Sequence, residues 1–270
     1  MNPLYPTSHR DVNALLDTLL PRVQLIVGDQ FVGMYLDGSL ANGDFDQASD
    51  IDFVVVTTDE ITSDLFLALQ AMHDQIATSE SRFAVDLEGS YIPRAALRRY
   101  DPAHAVHPNI ERGAGERLKL VHHDTAWLVH LHILRERGIT LAGPPARSLI
   151  DPIAPADLRQ AMLSVLAGWA ARILDQPARI ATHRGSQSYI VLSLCRVLYT
   201  LDSGAVVSKQ AAANWAKESL DARWVPLIER ALAGRHDPTS AVPPEDIDET
   251  LEFVRYSLER SQQYTALDKN

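Results

Sequence analysis

The segment "FVGMYLDGSLANGDFDQASDIDFVVVTT", residues 31–58, constrains the fold more than any other. Two apolar runs are joined by a polar loop, and two aspartates, Asp50 and Asp52, stand at the mouth of the second. Such runs, bounded by Gly, Asn, Asp and Ser, read as strands, the second the more buried of the two. Residues two apart on a strand point the same way, so Asp50 and Asp52 share a face while Ile51 and Phe53 point to the other. Like charges placed so close need a compensating cation. A hard divalent ion such as Mg²⁺ takes one or two carboxylates together with phosphate oxygens. Gly38 and Ser39 close the first run. Gly38 lets the backbone come near a phosphate, and Ser39 offers a hydroxyl to its oxygens.

A third acidic element follows. "RFAVDLEGSYI" reads as a strand with alternation, which puts Asp86 and Glu88 on one face. If this strand neighbours 51–57, that face meets Asp50 and Asp52, and a carboxylate there can accept a proton from an incoming hydroxyl. Asp50 and Asp52 alone read equally well as a solvated turn. The Gly-Ser pair before them and the acidic strand after them favour the site.

Around these strands, "RDVNALLDTLLPRVQLI" has apolar residues at helical spacing, with Ser8 or Thr7 as a cap and Pro21 expected to kink or split it. "SDLFLALQAMHDQIA" is helical, with Leu65, Leu67, Leu69, Met72 and Ile76 as its apolar face. Residues 94–123 carry no clear period. "DTAWLVHLHILRERG" is a helix with Asp124 at its N-cap and Gly138 past its end. "TLAGPPARSLIDPIAP" is a proline-rich connection, and the remainder is helical over 156–174, 186–202, 208–218, 221–233 and 245–263, with "TALDKN" expected to fray. The boundary between an α/β domain and a helical domain falls near residue 150.

Composition narrows the function classes. A net charge of −10 argues against general nucleic-acid binding and is compatible with a cationic small-molecule partner. No apolar run approaches the roughly 20 residues needed to span a bilayer, so no membrane partner is expected. The single cysteine, Cys195, excludes an intrachain disulfide and reads as a small buried hydrophobe. The start "MNPLYPTSHRD" lacks a basic region followed by an apolar core, so a cytoplasmic protein is expected. His122, His123, His130 and His132 crowd one region; His130 and His132 fall on different helix faces, and structural or surface roles are favoured over a zinc site.

"DGSLANGDFDQASDIDFVVV" resembles the signature of the DNA polymerase β-like nucleotidyltransferases: Gly-Ser, a loop, then Asp-x-Asp on the next strand. "LAGPPARSLIDPIAPADLRQAM", "VLSLCRVLYTLDSGAVVSKQAAANWA" and "LEFVRYSLERS" resemble the C-terminal helical domain of the aminoglycoside nucleotidyltransferases that adenylylate streptomycin and spectinomycin. The likeness runs from about residue 30 to 262. It implies an α/β (α+β) nucleotidyltransferase domain with a mixed sheet over 1–150, and an all-α domain over 151–270 that closes the nucleotide and acceptor cleft.

The same resemblance implies roles. Asp50 and Asp52 match the metal-binding aspartates, and Glu88 matches the general base, with Asp86 as the near alternative or an acid on the acceptor side. Arg196 and Lys209 match positions that reach the nucleotide. Trp169 is matched with a tryptophan lining the acceptor site and Asp175 with a nearby acid, against a plain packing role for Trp169. The expected reaction is Mg²⁺-dependent transfer of AMP from ATP to a hydroxyl of an aminoglycoside or aminocyclitol, by a monomer. One departure stands out. The relatives carry an acidic, drug-binding cluster before the helix that holds the match to Arg196. Here Gly185, Ser186, Gln187 and Ser188 supply no carboxylate. That leaves a protein adenylylating enzyme, or a non-catalytic nucleotide-binding protein on the same fold, as alternatives.

Overall fold

The computed structural model describes residues 5–177 and 183–267, and the chain divides into two compact units, Met1–Pro152 and Ile153–Asn270. In the first unit, α1 (Arg10–Val27) buries Val12, Leu15, Leu16, Leu19, Val23 and Val27 on one face. Pro21 lies inside this helix, which continues through it unsplit. The ring is on the exposed side, away from the buried face. His9 rather than Ser8 or Thr7 is the N-cap, without a side-chain cap bond; Thr7 instead donates its hydroxyl to Asn13 at 2.8 Å.

Among the described residues six strands make one sheet in the order β5-β4-β3-β2-β1-β6. They are β1 (Phe31–Leu36), β2 (Ile51–Thr57), β3 (Leu87–Pro93), β4 (Val106–Ile110), β5 (Lys119–His122) and β6 (Ile139–Ala142). The sheet is mixed: β2 and β3 are parallel, and the remaining pairs are antiparallel. Its face packs on α1 and α3 (Ser63–Ala77), where Met34, Leu36, Phe53, Val55 and Tyr91 meet Leu69, Met72 and Ile76. Burying such side chains stabilises the unit by roughly 1.5–3 kcal/mol each. Leu67 is 61% exposed, because it falls two residues off the 65-69-72-76 stripe.

Four strands differ from the sequence reading. β4 and β5 occupy the stretch without a clear period; Pro108 sits inside β4, where pairing to β3 engages only Asn109 and Ile110. The four-residue β6 pairs with β1 at the start of what reads as a proline-rich connection. β3 begins at Leu87, and Phe83 to Asp86 form a turn in which Asp86 donates its N–H to the Phe83 carbonyl.

Two short helices frame the site: α2 (Gly38–Asn42) directly after β1, and α5 (Trp127–Arg137) between β5 and β6. Asp124 does not cap α5; Ala126 does, and the Asp124 carboxylate accepts from the Ala126 N–H at 2.8 Å, one turn earlier. A further short helix, α4 (Arg94–Arg98), follows β3.

The second unit is helical throughout its described residues: α6 (Pro155–Asp175), α7 (Arg184–Ser203), α8 (Lys209–Ser219), α9 (Val225–Gly234) and α10 (Pro244–Leu267). Leu158, Leu166, Leu194, Leu198, Trp224 and Phe253 are its core, and Cys195 is fully buried among them. The expected fraying from Thr265 is replaced by helix to Leu267; residues 268–270 lie outside the described residues. No described helix is long and apolar enough to cross a membrane.

Candidate active site

The parallel pairing of β2 and β3 sets Asp52 opposite Glu88. Asp50 lies one residue before β2, its backbone anchored by the neighbouring Ile51 N–H donating to the Asp86 carbonyl at 2.8 Å. Among the described residues, Asp50, Asp52 and Glu88 each offer an oxygen within 4.8 Å of the others. Burial raises the Asp52 carboxyl well above the usual carboxylate range, and the charges of Asp50, Asp37 and Glu88 raise it further. Glu88 is raised by burial and then by Asp50. A cluster of three acids that resist ionising together fits a hard divalent cation, which supplies the missing positive charge.

Gly38 is required at its position. Its φ is +59°, and a Cβ there would stand 1.7 Å from an Asp52 carboxylate oxygen. The turn that α2 opens therefore lies against the acidic site. The Ser39 hydroxyl is buried and has no hydrogen-bond partner among the described residues, so a ligand oxygen would satisfy it.

Asp86 departs from expectation. It precedes β3 rather than alternating with Glu88 on it, and Arg112 donates to its carboxylate at 3.0 Å. The physical reason is the start of the parallel ladder at Ile51 and Leu87, which leaves Asp86 in the preceding turn.

The cavity beside the acids, of about 240 Å³, is lined by Asp52, Glu88, Ser90, Asn109, Asp124 and residues of α5. Here the structure adds residues that the sequence reading did not assign. Asp37, at the end of β1, is 2% exposed, donates its N–H to the Asp52 carbonyl, and accepts from or pairs with His130 Nδ1 at 2.9 Å. Trp127 stacks on His123 at 4.3 Å and on His130 at 5.2 Å. His123 bonds Ser90 at 3.2 Å, and burial lowers its pKa to about 4. Asp37 immediately precedes Gly38 in "LDGS" and was open to recognition there; its partner His130 lies 93 residues away, beyond the reach of local pattern.

In the second unit, Arg196 is half-buried on α7 and Lys209 opens α8 with its ammonium 4.6 Å from the ring of Tyr189. Trp169, on α6, meets Tyr189 edge-on at 6.1 Å, which gives it a packing partner. Asp175, the last residue of α6, is exposed. The stretch 185–188 has no carboxylate, yet Arg184 just before it pairs with Asp246 of α10, which supplies an acid from a distant segment. Gln187 donates to the Asp246 carbonyl at 3.2 Å and to Thr250 at 3.1 Å.

The fold and the acid triad at the starts of β2 and β3 define a nucleotidyltransferase. Residues 20–98 match the family model described as nucleotidyltransferase domain, and residues 148–260 match that of the aminoglycoside adenylyltransferase C-terminal domain. The chain is accordingly an enzyme of the adenylyltransferase type, built on both of these domains. An aminoglycoside (3'')(9) adenylyltransferase of Escherichia coli is 25% identical over 266 residues, spanning 91% of this chain and 94% of the relative. A spectinomycin 9-adenylyltransferase of Staphylococcus aureus is 27% identical over 221 residues, 78% of this chain and 80% of the relative. The crystal structure of a spectinomycin adenyltransferase from Enterococcus faecialis, solved with ATP and spectinomycin, shares the fold. Its TM-score is 0.69 at 17% identity, with 92% of this chain and 98% of that one covered.

Proposed function

We propose that this enzyme transfers AMP from ATP to a hydroxyl of a small cationic acceptor of the aminoglycoside or aminocyclitol class, with Mg²⁺ held by Asp50 and Asp52. The observation that carries the reading is the convergence of Asp50, Asp52 and Glu88 beside the Gly38–Ser39 turn. The cation, when bound, offsets charge on the triphosphate and on the departing pyrophosphate. Glu88 takes the proton from the acceptor hydroxyl as its oxygen bonds to the α-phosphorus. The bond from that phosphorus to the bridging oxygen breaks, and pyrophosphate leaves. The raised affinity of Glu88 for a proton suits this task. Ser39 donates its unpartnered hydroxyl to a phosphate oxygen. Arg196 binds the triphosphate bidentately and Lys209 binds it as a point charge, a reading supported by the match to the C-terminal domain.

The aminoglycoside and spectinomycin adenylyltransferases among the relatives support the acceptor class. Trp169 and Asp175 are proposed as its further contacts. We place the enzyme in the cytoplasm as a monomer. The missing acids at 185–188 favour one second reading, in which the acceptor is a protein side chain. Pyrophosphate release from ATP and Mg²⁺ across a panel of aminoglycosides and spectinomycin tests the proposal. Release that depends on one of them and is lost in Glu88→Gln supports it. Wild-type activity in Glu88→Gln contradicts the assigned base.

A further inference from the structure

Arg112 follows β4 and its guanidinium reaches three groups from other segments. One nitrogen donates to Asp86 at 3.0 Å. The other donates to the Ala48 carbonyl at 3.3 Å and stands 3.7 Å from an Asp50 oxygen. The same side chain thus spans one member of the acid triad and one acid outside it.

We infer that Arg112 is the resident counter-cation of the acidic site, neutralising Asp50 when no divalent ion is bound and held by Asp86 when one is, so that Arg112 and Asp86 together set the metal affinity of the centre. The inference rests on the reading of Asp50, Asp52 and Glu88 as a metal centre.

Three features of the geometry support it. First, a guanidinium does not lose its proton in a protein, so its charge is permanent and competes with any cation at Asp50. Second, the two contacts are unequal. The Asp86 contact is a charge-assisted hydrogen bond, whereas the Asp50 contact lies beyond hydrogen-bond distance. A metal ion can therefore take Asp50 without breaking a hydrogen bond of Arg112. Third, hydrogen bonds to the Ala48 carbonyl and Asp86 hold the guanidinium at the rim, where the Arg112 side chain is 42% exposed. The arrangement also explains why an acid at position 86 need not touch the acceptor: it is a positioning residue that acts through Arg112.

The test is Mn²⁺ binding to the full chain without nucleotide, by titration calorimetry and by the electron paramagnetic resonance of free Mn²⁺. Wild type should bind and Asp52→Asn should not, which checks the metal centre itself. Arg112→Ala and Arg112→Gln should bind Mn²⁺ about three- to tenfold more tightly, the range expected for removing one partly exposed charge at the rim. Arg112→Lys should stay near wild type. Arg117→Ala, which removes an exposed cation paired with Asp74, is the control for overall charge and should leave the affinity unchanged. Asp86→Asn should weaken Mn²⁺ binding in the wild-type background and have little effect beside Arg112→Ala, a coupling that independent roles would not give. Unchanged or weaker binding in both neutral variants, an equal gain in Arg117→Ala, or an Asp86→Asn effect that persists without Arg112 would each overturn the inference. If wild type and Asp52→Asn both fail to bind Mn²⁺, the metal centre is wrong and this inference falls with it.

Discussion

Gly38 and Asp52 are locked together: a Cβ on the glycine would stand 1.7 Å from the aspartate's carboxylate oxygen. Two segments that are 14 positions apart in the chain therefore meet only because position 38 has no side chain. The left-handed φ of +59° makes the same demand on the backbone. Gly38→Ala is expected to displace Asp52 and abolish AMP transfer while leaving the helical unit folded. Steady-state kinetics with far-UV circular dichroism checks this, and retained turnover would show that Asp52 tolerates displacement.

Asp52 is buried beside Asp50, Asp37 and Glu88, so ionising its carboxyl costs the fold free energy. Its folded pKa lies well above the ordinary value, so the stability this group gives the metal-free protein is full below the ordinary carboxylate range and is lost as pH rises through the folded pKa. Asp52→Asn should raise the Tm of the metal-free enzyme at pH 8. Wild type should gain Tm on adding Mg²⁺, and Asp52→Asn should not. A lower Tm with an intact Mg²⁺ shift would contradict the charge argument.

Glu88 and Asp86 should separate cleanly. Glu88→Gln is expected to bind ATP nearly as well as wild type yet transfer AMP roughly 10²–10⁴-fold more slowly, the usual contribution of a general base. Asp86→Asn should keep most of kcat. Rapid-quench measurement of the chemical step distinguishes them, and the reverse order of effects would move the base to Asp86.

Acid stability should carry the signature of His73. This ring is buried between β2, β3 and α3, bonded to the Tyr91 hydroxyl at 2.8 Å, and burial lowers its pKa to about 4. The unfolded chain binds this proton near pH 6.5 and the folded chain does not, so stability falls as pH drops from about 6.5 towards 4. His73→Gln should lower stability at pH 7.5 but flatten the slope across that window by about one proton. Urea unfolding at several pH values measures both, and an unchanged slope would place the acid sensitivity elsewhere.

Arg196→Ala is expected to weaken ATP binding by about tenfold or more, since a charge-assisted hydrogen bond is worth roughly 1.5–3 kcal/mol. Calorimetric titration with ATP reads it directly. Unchanged affinity in a folded variant would leave Arg196 a structural residue of α7.

The helical unit was legible almost residue by residue, because each of its helices presents a long apolar period and clear breaks. α7, expected over 186–202, runs Arg184–Ser203, and α8, expected over 208–218, runs Lys209–Ser219. The outer strands were not legible. β6 has four residues, and β4 contains Pro108, so neither shows enough alternation to outweigh its breakers. At the site, Asp50, Asp52 and Glu88 were readable because strand geometry brings them together from short motifs. Asp86 was misplaced by one feature, the turn that ends at residue 86 and shortens the strand. His130 and Arg112 were invisible for a different reason: each meets its acidic partner across a large sequence separation, 93 residues for His130 and Asp37 and 26 for Arg112 and Asp86.

The proposed reaction transfers one adenylyl group to a small cationic acceptor. Mass spectrometry of spectinomycin, streptomycin and a set of further aminoglycosides, each incubated with the enzyme, ATP and Mg²⁺, tests it most directly. At least one should gain a single AMP, the product should be absent without Mg²⁺, and Asp52→Asn should form none. An enzyme that binds ATP and Mg²⁺ yet leaves every one of these acceptors unmodified would contradict it.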